Sequence, residues 1–306
     1  MSIKREFTVG ICATADARGL GLLVSSVLED MYPSPFALRR VIVVASACTL
    51  ESLSLVRDLS FIDSRVLLIE EEERHGKAEA INKIIENSQG DYLVFVNSDA
   101  SPEKRSITQL LQTMSKDPSI GIISACPVFS SEGGLTSKVL RLMWLAHNEC
   151  SKELNDMNVS NHCSDELMAI RSSALHSLPD GLVNDGAFMA NMARQDGYLV
   201  KFCERSKVKI DVPKRLFDIL RQRRRINYGH LQVWRLTGIA PKTLESMLLS
   251  SPLTSLRVLL GVLGKHPELI IAMPVGVIEE ILATLLAIKD NIFPTNNHSV
   301  WIRYEN

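Results

Sequence analysis

The sequence predicts an α/β fold: a doubly wound, mostly parallel sheet with helices on both faces, followed by a helical C-terminal region. Three observations carry this. Apolar runs too short for helices, such as Arg40-Val41-Ile42-Val43-Val44-Ala45-Ser46, recur between segments of helical period. Their nearly unbroken Val and Ile content fits strands covered on both faces, as parallel strands are. Strand and helix alternate over the first two fifths of the chain, the order that winds such a sheet.

The elements follow in order. Residues 7–14 are a short β-rich run, 21–31 have helical period, and 40–46 are the apolar strand just quoted. Helical spacing over 50–59 and 75–88 flanks a strand at 65–69, and 91–96 is the next strand. A helix over 102–115 and a strand over 120–125 complete the regular alternation. From about residue 130 the pattern loosens, with a helix at 135–154, a strand at 165–170 and a helical stretch at 187–195. Two short strands are expected at 198–202 and 207–211. Beyond Pro213 the chain is helical with Pro and Gly punctuation, and it shows no internal repeat or low-complexity linker.

Composition bounds the rest. With 306 residues, 46% hydrophobic and 23% charged, the chain buries one sizeable α/β core plus an appendage. A formal net charge of −1 gives no general pull toward nucleic acid, so basic chemistry must be local. Cys12, Cys48, Cys126, Cys150, Cys163 and Cys203 form no CxxC pair and read as reduced, buried small hydrophobes of a cytoplasmic protein. Residues 1–5 run straight into a strand rather than an apolar signal region. The Asn-x-Ser triplets at Asn158 and Asn297 are therefore expected to be chance matches.

Gly19-Leu20-Gly21 imitates the start of a dinucleotide fingerprint, but Val24 holds the third glycine position and the second strand ends in Ala45-Ser46, without an acid for a ribose. The stretch 74–82 says more. Gly76 lets backbone approach a ligand closely, Lys77 adds a compact cation, and a helix starts there whose N-terminal amides favour an anion, which suits a diphosphate. Alone, it could equally be a surface turn at a solvated helix start. The preceding Glu70-Glu71-Glu72-Glu73 run reads as a solvated strand end, not a metal cage.

Asp99 closes the strand Tyr92-Leu93-Val94-Phe95-Val96-Asn97-Ser98-Asp99, at the end where an open α/β sheet keeps its ligands. Asp185 stands in Leu182-Val183-Asn184-Asp185-Gly186, ahead of a helix for which it could serve merely as N-cap. The basic run Arg221-Gln222-Arg223-Arg224-Arg225 could be an exposed helix face; without interleaved aromatics in a neutral chain it argues against RNA. His75, His147, His162 and His230 lack metal-ligand spacing.

Taken in sequence, Gly76-Lys77-Ala78-Glu79-Ala80-Ile81-Asn82, then 90–100, then Ala169-Ile170-Arg171-Ser172-Ser173-Ala174-Leu175, Asn184-Asp185 and Gly197-Tyr198 resemble family-two inverting glycosyltransferases of the GT-A fold. Arg221 to Gly229 is similar to the Gln-x-x-Arg-Trp motif of the membrane-associated members, and the resemblance covers about residues 7–230. It implies a GT-A domain at 1–212, with a donor half at 1–128 and an acceptor half at 129–212, and a helical region at 213–306. It further implies transfer of a sugar from a nucleotide-diphosphate donor to a hydroxyl acceptor on a glycan or lipid carrier. Ala13, Ala45, Gly76, Lys77, Asn82, Asn97, Ser98 and Asp99 would bind the donor. Asp99 would hold Mg²⁺ or Mn²⁺ against the diphosphate, Asp185 would be the general base, and Gln222 and Arg225 would steady diphosphate and acceptor.

This chain departs from the family pattern at four places. Asn97 replaces the first Asp of Asp-x-Asp, Ala45-Ser46 replace an acidic pair that reads uracil, Asn184 precedes Asp185, and Ile226 replaces the Trp. Those substitutions at Asn97, Ala45 and Ser46 favour a rival, a non-catalytic nucleotide-sugar or glycan-binding homologue. A second rival, a sugar-phosphate nucleotidyltransferase, needs a Gly-rich phosphate loop with a basic residue after the first strand; 13–21 supplies Arg18 but also Asp16.

In the tail, residues 269–288 are apolar for the length of a spanning helix but contain Pro274, Glu279 and Glu280. At roughly +2.5 to +3.5 kcal/mol per central carboxylate and about −0.3 to −0.6 per apolar residue, the two Glu approximately cancel the apolar gain. The expectation is an amphipathic pair with 253–263, packed on the catalytic domain or lying on the cytoplasmic face of the cell membrane.

Overall fold

A computed structural model describes residues 4–293, apart from 16, 18, 131 and 132, and residue 298. Arg18 of the phosphate-loop reading and the triplet at Asn297 therefore lie outside the described residues. The first half alternates β1 (Arg5–Thr14), α1 (Leu20–Glu29), β2 (Phe36–Ser46), α2 (Leu50–Ile62), β3 (Val66–Glu71), α3 (Lys77–Asn87) and β4 (Tyr92–Asn97). Next come β5 (Ala100–Pro102), α4 (Ser106–Lys116), β6 (Ile120–Val128), α5 (Gly134–Asp156), β7 (Leu167–Arg171), α6 (Asp185–Gln195) and β8 (Leu199–Ile210).

Among the described residues, eight strands join one sheet in the order β3-β2-β1-β4-β7-β6-β8-β5. β3, β2, β1 and β4 are parallel, β7 runs antiparallel to β4 and β6, and β6 and β8 are again parallel. Side-chain alternation puts Val41 and Val43 on one face with α1, α2 and α4, and Ile42 and Val44 on the other with α3 and α6. The predicted helices on both faces are thus present, and the unbroken Val/Ile runs are the strands that need cover on both.

Two elements differ from the sequence reading. The helix expected from residue 102 begins at Ser106, because Ala100–Pro102 instead pair with the free edge of β8. Pro102 is tolerated there since an edge strand can spare an N–H. The two strands expected at 198–202 and 207–211 are one continuous β8. Its polar middle, Glu204-Arg205-Ser206, bulges between the pairs Ala125↔Cys203 and Cys126↔Lys207, so the break in hydrophobic pattern bends the strand without ending it.

Gly90, at the turn into β4, has φ +101°, and a Cβ there would sit 2.6 Å from the Glu6 carbonyl. Gly90→Ala is expected to cost about 1–3 kcal/mol through left-handed strain and this backbone clash. The check is a lower urea midpoint at unchanged m value.

The C-terminal helices are α7 (Leu216–Thr237), α8 (Leu244–Ser250), α9 (Pro252–Lys265) and α10 (Met273–Ile292), with a 3-10 turn Pro267–Ala272 before the last. Val139, Leu140 and Leu142 of α5 pack with Ile219, Val262, Leu269 and Ala272. This contact fixes α7 as a wall beside the C-terminal ends of the parallel strands.

Candidate active site

Parallel strands point their C-terminal ends, and the following loops, to one edge of the sheet. There a cleft of about 330 Å³ opens, lined by Ala13 and Thr14 after β1, Ser46 after β2, and Asn97, Ser98 and Asp99 after β4. Gly76 and Lys77 at the start of α3 form its floor, and Gln222, Arg225 and Ile226 of α7 its far wall. Trp144 of α5 also lines it, an aromatic the sequence reading did not single out.

Lys77 is the hub. Its ammonium bonds the Asp165 carboxylate and lies 3.1 Å from Asp185 Oδ2. Burial alone would drive a lysine toward neutrality, but the two carboxylates outweigh it and keep Lys77 charged. Burial would likewise lift Asp165; the charge and hydrogen bond of Lys77, with Arg225 behind, hold it at about 2. Asp185 is only 4% exposed, and burial raises its carboxyl against the opposing pull of Lys77. Glu166, hydrogen-bonded by Ser164, is pushed up to about 7 by burial and by the neighbouring Asp165 charge.

Asp165 and Glu166, expected as the first residues of a strand at 165–170, lie just before β7 and were not read as site residues, although they show the same signal as Asn97-Ser98-Asp99, polar groups abutting an apolar strand. They precede β7 rather than follow it. Because β7 is antiparallel to β4, its start lies at the ends of the parallel strands, and the Asn97 N–H donates to the Glu166 carbonyl at 3.1 Å. Asp211 was missed for a related reason. The antiparallel register pairs Ala100 with Ile210, which puts Asp99 across from Asp211, and both line the cleft.

Several expected site residues fall elsewhere. Ala45 is 1% exposed and packs in the core; its neighbour Ser46 reaches the cleft, its hydroxyl donating to Glu71. Glu71 also binds Lys83 and its side chain is 5% exposed, so the acidic run is not wholly a solvated strand end. Asn82 does not line the cleft. Its amide accepts from the Leu178 N–H at 2.7 Å and donates to the Leu178 carbonyl at 2.9 Å, pinning the loop that leads to Asp185. The N-cap of α6 is Asn184, which accepts from the Ala187 N–H at 3.0 Å, so Asp185 does not serve as the cap. Asp185 itself stands behind Lys77 rather than in the cleft lining.

The basic run is divided by helical geometry. Gln222 and Arg225 face the cleft, while Arg223 binds Glu280 at 2.6 Å and Glu245 at 2.9 Å and Arg224 binds Asp290 at 2.6 Å. Arg221 is the member left on an exposed face. His147, His162 and His230 stack edge to face at centroid distances of 5.9 and 5.2 Å, and burial holds all three below the usual histidine range. All six cysteines are free.

Residues 8–178 match the family model described as Glycosyl transferase family 2. No curated protein sequence matches the chain. Among solved structures, the mannosyltransferase PcManGT from Pyrobaculum calidifontis, in complex with GDP-Man and Mn²⁺, superposes with TM-score 0.65 at 18% identity, covering 96% of this chain and 89% of its own. GalNAc-T7, solved with UDP, GalNAc and Mn²⁺, gives 0.49 at 15% identity over 66% of this chain and 43% of its own. TarS from S. aureus gives 0.49 at 15% identity over 74% of this chain and 40% of its own.

Proposed function

The chain belongs to glycosyl transferase family 2 and is a nucleotide-sugar-dependent glycosyltransferase, and we propose that it is an inverting, metal-dependent enzyme acting on a hydroxyl of a glycan or lipid-linked acceptor. The observation that carries this reading is the joining of Lys77 and Asp165, which line the cleft, with Asp185 behind them in one ion cluster. In the proposed reaction the acceptor oxygen attacks the anomeric carbon from the side opposite the leaving group. A carbon–oxygen bond forms, the bond to the diphosphate breaks with its electron pair, and the hydroxyl proton passes to Asp185.

The acceptor hydroxyl reaches Asp185 only if Lys77 shifts its contact to Asp165 and the incoming diphosphate, for which its flexible stem is suited. Arg225 and Gln222 line the cleft where they can hold diphosphate oxygens and acceptor. A hard divalent cation fits the donor set, since Asn97, Asp99 and Asp211 offer only oxygen ligands toward one end of the cleft. Such an ion, when bound, would neutralise charge building on the leaving diphosphate. Asp211 supplies the second carboxylate that Asn97 lacks.

A second reading of the base rests on Glu166. It lines the cleft, unlike Asp185, and its carboxyl is poised at about 7, which suits proton transfer at neutral pH.

A thermal-shift panel of GDP, UDP, CDP and ADP with their sugars tests donor and metal together, because a bound ligand raises the unfolding temperature. GDP-mannose, carried by the Pyrobaculum enzyme, is the first donor to try. One nucleotide is expected to stabilise the protein, more so with Mn²⁺. Asp99→Ala should abolish the metal increment and Asp211→Asn reduce it about tenfold in apparent affinity. An undiminished Mn²⁺ increment in both variants would remove these residues from the metal site. No turnover with any donor would favour the binding-homologue reading instead.

A further inference from the structure

Helix α10 is built inside out. Its acidic side chains and Thr284 face the protein: Glu280 bonds Arg223 and Asn227, each at 2.6 Å, Thr284 bonds Asn227 at 3.0 Å, and Asp290, 1% exposed, bonds Arg224. Ala283 and Ala287 are buried between them. Its apolar side chains face outward, with Ile278, Ile281, Leu282, Leu285, Ile288 and Ile292 between 40% and 64% exposed. A helix on a water-soluble surface has the opposite polarity. The preceding turn continues the pattern, Ile270 and Ile271 being 64% and 63% exposed. So large an apolar face implies that something other than water covers it.

We propose that this face of α10, with the turn Pro267–Ala272, lies in the plane of an anionic lipid bilayer, its apolar side chains sunk to the headgroup–acyl boundary. Glu279 and Glu280 do not charge this face. Glu280 is tied inward, and Glu279 Oε2 is itself buried. The segment Pro267–Ile292 is 26 residues long, enough to cross a membrane by length. The ion pairs at Glu280 and Asp290, ten residues or about 15 Å apart along the helix, instead stitch it lengthwise to α7. Crossing would drag the arginines of α7 into hydrocarbon, so α10 lies flat.

Charge selects lipid over a second copy of the chain. Residues 213–293 contain 11 Lys and Arg against 6 Asp and Glu, a net charge of +5 in a chain whose total is −1. On α10 itself Lys289 is exposed, four residues beyond Leu285, whereas Arg257 and Lys265 of α9, though exposed, pair with Glu153 at 3.7 Å and Glu149 at 2.8 Å on α5. A net cationic region whose apolar face carries Lys289 and no exposed carboxylate is drawn to anionic headgroups, whereas self-association would bring two such regions together. Docking in this way holds α7, whose other face bears Gln222 and Arg225, about one helix diameter from the bilayer. That consequence, which alone rests on the glycosyl-transfer reading, suits an acceptor carried on a lipid.

The test is co-sedimentation of the full chain with vesicles of phosphatidylcholine alone and of phosphatidylcholine with about one third phosphatidylglycerol. Binding is expected to the anionic vesicles, weakened by salt, and reduced at least about tenfold in the double variant Ile281→Asp, Leu285→Asp. Both positions face outward, so the variant should keep its circular dichroism and nucleotide-induced thermal shift. Absence of vesicle binding overturns the proposal, as does binding that the variant leaves intact. A dimer in analytical ultracentrifugation that the variant dissociates, without vesicle binding, gives the face to a second copy and also overturns it. Since sedimentation needs no donor, its failure leaves the catalytic reading standing, and the converse holds.

Discussion

Asp185→Asn is expected to lower kcat by about 10³-fold while changing nucleotide affinity less than about twofold. The substitution keeps the side chain's shape and removes its basicity. Lys77 retains Asp165 as a partner, so the floor of the cleft should hold its geometry and the donor should still bind. A general base acts on the proton in flight, which is why the loss belongs in kcat. Glu166→Gln is the necessary companion. With Asp185 as base, Glu166→Gln keeps most of the turnover, and Asp185→Asn stays inactive at every pH. With Glu166 as base, kcat/KM falls as pH drops through about 7, where Glu166 gains its proton, and Glu166→Gln eliminates turnover. Near-normal turnover of Asp185→Asn with a donor the enzyme uses would transfer the role.

Arg223→Met carries the largest expected effect on stability, about 3–5 kcal/mol. Arg223 is mostly buried between three elements, joining α7 to Glu280 of α10 and Glu245 of α8. Its removal strands Glu280 in a low-dielectric seam beside Glu279, whose own carboxyl burial and Glu280 already raise. Among the described residues, Asn227 alone is left to satisfy that charge. Replacing both partners should recover most of the loss, because a buried ion pair and a matched apolar pair differ little in net stability. Chemical denaturation of Arg223→Met, Glu280→Leu and the double variant closes the cycle. A single Arg223→Met variant as stable as the parent would mean that the C-terminal helices are held by their apolar contacts instead.

The sheet was legible because its strands need no partner to declare themselves. Runs such as 41–45 are apolar throughout and too short for a helix, as strands covered on both faces are. Asp99 was legible for the same reason, standing where an apolar run stops. Asp165, Glu166 and Asp211 show equally abrupt polarity changes, but their use depends on strand direction and pairing, which periodicity does not encode. Asn82 reads as a ligand-binding amide and is instead spent on the Leu178 backbone, a partner 96 residues away. The five-residue basic run looked uniform, and helical pitch deals its members to three directions.

By itself, the sequence determined the alternation of elements, the sheet's two covered faces and the edge at which chemistry gathers, because these follow from local period and polarity. Tertiary structure alone decided which carboxylates meet Lys77, which arginines are structural, and that α10 turns its carboxylates inward. The physical reason is that charge and burial are properties of neighbours in space. A summed hydropathy treats Glu280 as a cost to any apolar environment, whereas the fold gives it Arg223 and leaves the outward side of the helix without a carboxylate, its exposed charge being Lys289.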